Sequence, residues 1–262
     1  MSRDLTAIVI SVDYRLGPAA QFPAAIEDAE DVLHAILSPL KSGYEELRGA
    51  INGYLKKEKR GEVDIDQTRI AVSGFSSGGN LALNLGLSVS GEELREWGGE
   101  SEWPSVFGKD FKREIPMLLF YPSLDARQLP SERPRPPGME EKKPGYFKSL
   151  NLEGQLMLTY LPREKAGHPR ASPGLVSVKG GLHEQARMLL VLPEWDTLAE
   201  QSEVWVQKVG REGMGKDLTV ERARGVVHGW TQFPDSWLGE EGRRLKGDVF
   251  EKAREFVARC WA

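Results

Sequence analysis

The pentapeptide Gly74-Phe75-Ser76-Ser77-Gly78 matches G-x-S-x-G once in the chain. It lies between the short apolar run Ile70-Ala71-Val72 and a mostly apolar stretch over 80–89. That context predicts a buried strand over 69–73, a tight turn over 74–79 and a well-buried helix over 80–89. The spacing has a chemical reason. A serine on a sharp strand-to-helix turn has its hydroxyl exposed, and side chains two residues to either side would collide with the neighbouring strand or helix, so glycine fits there. The helix begins at the serine, where free N–H groups and the positive end of the dipole favour an oxyanion. The backbone N–H of Ser77 is one such donor. The alternative is a glycine-rich turn with an incidental serine.

Around this turn strand and helix patterns alternate. Residues 6–12 are apolar and β-branched almost without interruption, which predicts a strand buried on both faces. Ala25, Ile26, Ala29, Val32, Leu33 and Ile36 recur at helical spacing, with Glu27, Asp28, Glu30 and Asp31 between them. The polar stretch 41–66 reads as a surface excursion. Further strands are expected at 117–121, 188–192 and 218–222, and a helix at 198–209. A closing helix carries the stripe Val249, Ala253, Phe256, Val257 and Cys260. The pattern predicts one α/β domain over 1–262, a mostly parallel sheet with helices on both faces. The stretch 127–168 breaks the alternation. It is rich in proline and charge as far as 144, then aromatic and aliphatic over 146–161. It reads either as a partial helical cap insertion or as a solvated loop followed by an ordinary packing helix.

Several blocks then resemble one known family, the hormone-sensitive-lipase-like branch of the α/β-hydrolases, which includes many carboxylesterases. Ser11-Val12-Asp13-Tyr14-Arg15-Leu16 with Phe22-Pro23-Ala24-Ala25 resembles V-D-Y-R-L-A-P-E … F-P-A-A. Residues 69–81, R-I-A-V-S-G-F-S-S-G-G-N-L, resemble R-I-A-V-x-G-D-S-A-G-G-N-L. Arg170-Ala171-Ser172-Pro173 matches a further block, Asp196 stands where the family carries its triad acid, and His228-Gly229-Trp230 resembles its H-G-F/W. The blocks run in collinear order through nearly the whole chain. The resemblance implies the α/β-hydrolase fold and a catalytic triad of Ser76, Asp196 and His228. The residues read by themselves agree, because serine, acid, histidine is the chain order of this fold. Asp196 follows an apolar strand and His228 follows the last one. Read alone, Asp196 also suits a helix N-cap and His228 a surface loop. His34, His168 and His183 have no comparable placement, and His34 reads as structural.

The resemblance also breaks. The family's H-G-G-G loop, which supplies the other oxyanion donors, normally precedes V-D-Y-R-L by a few tens of residues, and no H-G-G occurs in this sequence. By the resemblance the first strands are missing, one of them from between the strands containing Val9 and Val72, as in an incomplete form of a longer protein. Phe75 stands where the family has Asp, Ser77 replaces Ala and Ala19 replaces Glu. The implied activity is hydrolysis of small or medium acyl esters through an acyl-enzyme, with Phe75, Trp230, Tyr146 and Tyr160 as substrate-binding residues. The alternative is an impaired enzyme or a non-catalytic small-molecule binder on the same fold.

Composition narrows the partners. The formal net charge is -4, and no basic block interleaved with aromatics suggests nucleic acid. The triad chemistry needs no metal or organic cofactor. Cys260 is the only cysteine, which fits a reducing compartment, and no apolar run is long enough to span a membrane. A cytoplasmic location follows as the expectation. The sequence sets no oligomeric state.

Overall fold

The computed structural model describes residues 5–99, 101–139 and 157–262. Ile115–Phe120 is a strand in which all six side chains are buried, as an apolar run between two partner strands requires. This strand, β2, lies between β1 (Val72–Phe75) and β3 (Ala186–Trp195), and β4 (Leu218–Val227) follows at the edge. All three pairings are parallel, with Val72 opposite Met117, Met117 opposite Met188 and Met188 opposite Leu218. β4 has a largely open face, as an edge strand does.

Alternation along the strands divides the core into two layers. Met117, Leu119, Met188, Leu190 and Leu192 face α1 (Ala24–Leu37), α3 (Ser77–Leu85) and α5 (Ala199–Arg211) through Leu33, Leu83 and Trp205. Leu118, Phe120, Leu189 and Val191 face α6 (Glu240–Trp261) through Val249, Ala253, Phe256 and Val257. At the start of the short α4 (Gly91–Leu94), Ser90 and Glu93 form a reciprocal capping box. The expected parallel sheet with helices on both faces is therefore present.

Two expectations fail. Residues 6–12 form no strand, and Val9 is 75% exposed. Apolar β-branched composition makes a strand only where a ladder partner satisfies the backbone. Among the described residues β1 pairs with β2 alone. Further on, the segment is held by side chains: Arg15 Nε donates to Asp28 on α1 at 2.8 Å. The polar stretch 41–66 contains α2 (Ser42–Lys57). Tyr44, Leu47, Ile51 and Leu55 keep a helical spacing that Gly43, Gly49 and Gly53 obscure. Asn52 exchanges two hydrogen bonds with the Val63 backbone, 2.8 and 3.0 Å, and folds the following loop back onto the helix.

The stretch 127–168, read either as a cap insertion or as a solvated loop with a packing helix, falls partly outside the described residues. Of its described parts, 127–139 contains turns, and one helical turn at 157–160 precedes a 3-10 turn at Arg163–Lys165.

Arg170 is fully buried beside this region. It pairs with Glu30 of α1, donates to the carbonyls of Asn84 and Leu87 at 2.9 and 3.2 Å, and stacks over Trp103 at 4.3 Å. Its own carbonyl accepts from Asn84 Nδ2 at 3.0 Å, and Ala171 O accepts from Asn80 Nδ2 at the same distance. The block 170–173 thus fastens α3 to α1.

His168 is 8% exposed among Phe22, Trp97 and Trp103, and its Nδ1 accepts from the Arg170 N–H at 3.1 Å. Burial pushes the imidazole down to about 4. The folded protein holds it neutral, whereas the unfolded chain takes up the proton near pH ~6.5. Its contribution is full above that value and is lost as pH falls toward 4, a change of about 2–3 kcal/mol. His168→Asn keeps an acceptor that does not titrate. Urea unfolding at pH 7 and pH 4.5 is expected to show a smaller loss for the variant than for the wild type. Equal losses would remove His168 from the acid response.

Candidate active site

β1 ends at Phe75 and α3 begins at Ser77, so Ser76 occupies the whole turn with φ 54° and ψ -115°. A non-glycine residue there is strained and persists only where its surroundings over-determine it. Here the Ser76 N–H donates to Phe120 O at 2.9 Å, and Ser76 O accepts from Gly79 and Ser123 at 3.0 and 3.2 Å. A Cβ on Gly74 would overlap the Gly78 carbonyl, and one on Gly79 would lie 2.8 Å from Pro122 Cβ. Gly78 itself has open space around its missing Cβ. The expectation of two equivalent glycines is therefore corrected: Gly78 contributes the backbone wall that crowds Gly74, and the second steric demand falls on Gly79.

Asp196 follows β3 and is 1% exposed. Its Oδ1 accepts from Leu198 N at 2.8 Å, closing the turn into α5, and its Oδ2 lies 2.7 Å from His228 Nδ1. The two alternative readings of this residue are both partly met, one on each oxygen. His228 follows β4 and its Nε2 lies 3.0 Å from Ser76 Oγ. With Asp196 Oδ2 accepting a hydrogen bond from Nδ1–H, Nε2 is an acceptor facing the serine hydroxyl. The three side chains expected to act together thus form one hydrogen-bonded line across the ends of β1, β3 and β4.

Ser77 opens α3, where the helix has no internal acceptor for its N–H. Its hydroxyl is 3.4 Å from Tyr14 Oη. Tyr14 was not singled out by the sequence reading, although the Asp13-Tyr14-Arg15 block contains it. The signal was local sequence similarity, without any cue that the loop returns to α3.

The expected pocket residues divide. Tyr160 joins Tyr14, Phe22, Ala25 and Ile26 in one small cluster, of which Tyr14 reaches Ser77. Trp230 is fully buried beneath Tyr121 at 5.6 Å and offers no surface to a substrate, which corrects its placement as a pocket wall. A large aromatic after His228-Gly229 is used as core. Phe75 stacks on Phe120 at 4.6 Å and packs against the α6-side core, so it too is chiefly a packing residue. Tyr146 lies outside the described residues.

Among the described residues, no helix is long and apolar enough to cross a membrane.

Comparison with known proteins agrees with this architecture. A family described as alpha/beta hydrolase fold matches residues 1–232. An arylesterase of Saccharolobus solfataricus is 24% identical over 237 residues, 89% of this chain and 61% of the arylesterase. The carboxylesterase NlhH of Mycobacterium tuberculosis is 25% identical over 229 residues, 87% of this chain and 57% of that protein. This chain therefore spans about three fifths of the length of these relatives. The hyperthermophilic esterase of Pyrobaculum calidifontis superposes with a TM-score of 0.61 at 24% identity, covering 100% of this chain and 69% of its own. The matched family, the collinear blocks and the shared fold together make this chain a member of the α/β-hydrolase family, in its hormone-sensitive-lipase-like branch.

Proposed function

We propose that this chain is a serine carboxylic-ester hydrolase acting on small or medium acyl esters, with Ser76 as nucleophile, His228 as general base and Asp196 as the residue that orients the imidazole. The observation that carries this reading is the line Asp196–His228–Ser76, at 2.7 and 3.0 Å, ending on a serine held at positive φ. The names of the relatives, arylesterase and carboxylesterase, support the same reaction class.

The chemistry follows from the donors and acceptors. Ser76 Oγ attacks the ester carbonyl carbon as His228 Nε2 takes its proton, and the carbonyl π electrons move to oxygen. The Asp196 carboxylate stabilises the resulting imidazolium. The tetrahedral oxyanion accepts from the Ser77 N–H at the start of α3. On collapse the alkoxide leaves with the proton from His228, and Ser76 retains the acyl group. Water, deprotonated by the same nitrogen, then attacks the acyl-enzyme; the second tetrahedral intermediate collapses with cleavage of the bond to Ser76 Oγ, the carboxylic acid leaves, and His228 returns the proton to Oγ. Each oxyanion donor is worth about 10²–10³ in kcat. The Tyr14–Tyr160 cluster is the proposed wall on the Ser77 side.

A fluorophosphonate probe tests the nucleophile without requiring full turnover. Phosphonylation is expected on the peptide containing Ser76, and His228→Gln is expected to slow it by about 10² or more. A folded protein that takes up no probe at Ser76 would refute this function and favour ligand binding without catalysis.

A further inference from the structure

The backbone around His228 does little to fix the imidazole. Gly225 and Gly229 on either side have φ of 73° and 80°, and the His228 N–H makes one long bond to Trp195 O at 3.3 Å. The imidazole is also partly open to solvent, with 36% of the side chain exposed. Something else must hold the ring within reach of both Asp196 and Ser76.

Tyr121 is placed to do this. It follows β2, is fully buried and has φ 38°, an unusual conformation for a bulky aromatic. Its N–H donates to Val191 O at 2.7 Å, and the preceding residue, Phe120, accepts the Ser76 N–H. The backbone that seats the nucleophile therefore also carries Tyr121. Its ring meets the His228 imidazole edge-on at 4.8 Å between centroids, and its hydroxyl is 2.5 Å from Thr231 Oγ1, three residues beyond His228.

We propose that Tyr121 is a positioning residue for the reaction: its ring backs the His228 imidazole, and its bond to Thr231 ties the His228 loop to the strand end that holds Ser76. The proposal rests on the triad reading above. It adds a tether between nucleophile and base that passes through neither Asp196 nor the Ser76–His228 bond. Burial pushes the Tyr121 phenol up to about 12, so the hydroxyl stays neutral throughout the range in which an imidazole titrates.

Tyr121→Phe keeps the ring and removes the tether, and Thr231→Val removes the other end. In each variant a looser imidazole contacts the Asp196 carboxylate less well, so the downfield His228 Nδ1–H proton resonance in NMR is expected to move upfield and broaden. Hydrolysis of p-nitrophenyl butyrate is expected to lose about tenfold or more in kcat with KM within about twofold. The double variant should lose no more than either single one, because both break the same bond. An unchanged Nδ1–H resonance in Tyr121→Phe would overturn the proposal. So would losses that multiply, or a fall in fluorophosphonate-titrated sites with kcat per site unchanged. If the wild type hydrolyses no ester, the Nδ1–H resonance still decides the role of Tyr121, and only the hydrolase reading fails.

Discussion

Ser76→Ala is expected to reduce p-nitrophenyl butyrate hydrolysis by about 10³-fold or more, with the protein still folded. The methyl group keeps the turn but provides no oxygen to attack, so what survives is the acceleration due to binding and the oxyanion donor alone. Asp196→Asn is the more discriminating partner experiment. The asparagine oxygen can still accept from Leu198 N, which Asp196 Oδ1 receives at 2.8 Å. Its amide would then face His228 Nδ1 with a donor, which favours the wrong tautomer and leaves Nε2 protonated. A loss of about 10³–10⁴ with little change in melting temperature is therefore expected. If both variants hydrolyse the ester like the wild type, another group carries the reaction and the triad is a structural hydrogen-bond line.

Strand and helix placement was legible wherever an element's burial is written in its own residues. The run at 117–121 reads as a strand because both faces are apolar, and 188–192 for the same reason; the strands extend over Ile115–Phe120 and Ala186–Trp195. The hydrogen-bonded line Asp196–His228–Ser76 was legible because a strand-turn-helix with one serine, an acid after a strand and a histidine after the last strand can be ordered along the chain. The failures share another cause: they depend on what lies beside a segment. Residues 6–12 have strand composition and no ladder. α2 buries Tyr44 alone, so its apolar spacing is diluted by glycines and charge. Trp230 looks like a pocket aromatic until Tyr121 is seen to cover it. The pairing of Glu30 with Arg170 joins residues far apart in sequence, and neither position carries a local sign of the other.

That pair gives the largest expected stability effect. Arg170→Met removes a fully buried cation and leaves Glu30, whose side chain is 13% exposed, without its counter-charge. The carbonyls of Asn84 and Leu87 lose a donor in the same step, while Trp103 Nε1 still donates to Glu30 at 3.0 Å. An uncompensated buried carboxylate of this kind costs about 3–5 kcal/mol, and for a chain of this size the melting temperature is expected to fall by about 10 °C. The ion pair is not itself an optimum, because Arg170 Nε is buried without a hydrogen-bond partner among the described residues. Arg170→Met with Glu30→Leu removes both charges together and is expected to recover a large part of the loss. Differential scanning calorimetry of the two single variants and the double variant measures the coupling. A single Arg170→Met variant melting within about 2 °C of wild type would show that the pair holds nothing. Because Arg170 and Ala171 also accept from Asn84 and Asn80 on α3, the same disturbance reaches the helix that opens just after Ser76. Activity in the single variant should therefore fall with the folded fraction on warming, while KM at low temperature stays near the wild-type value.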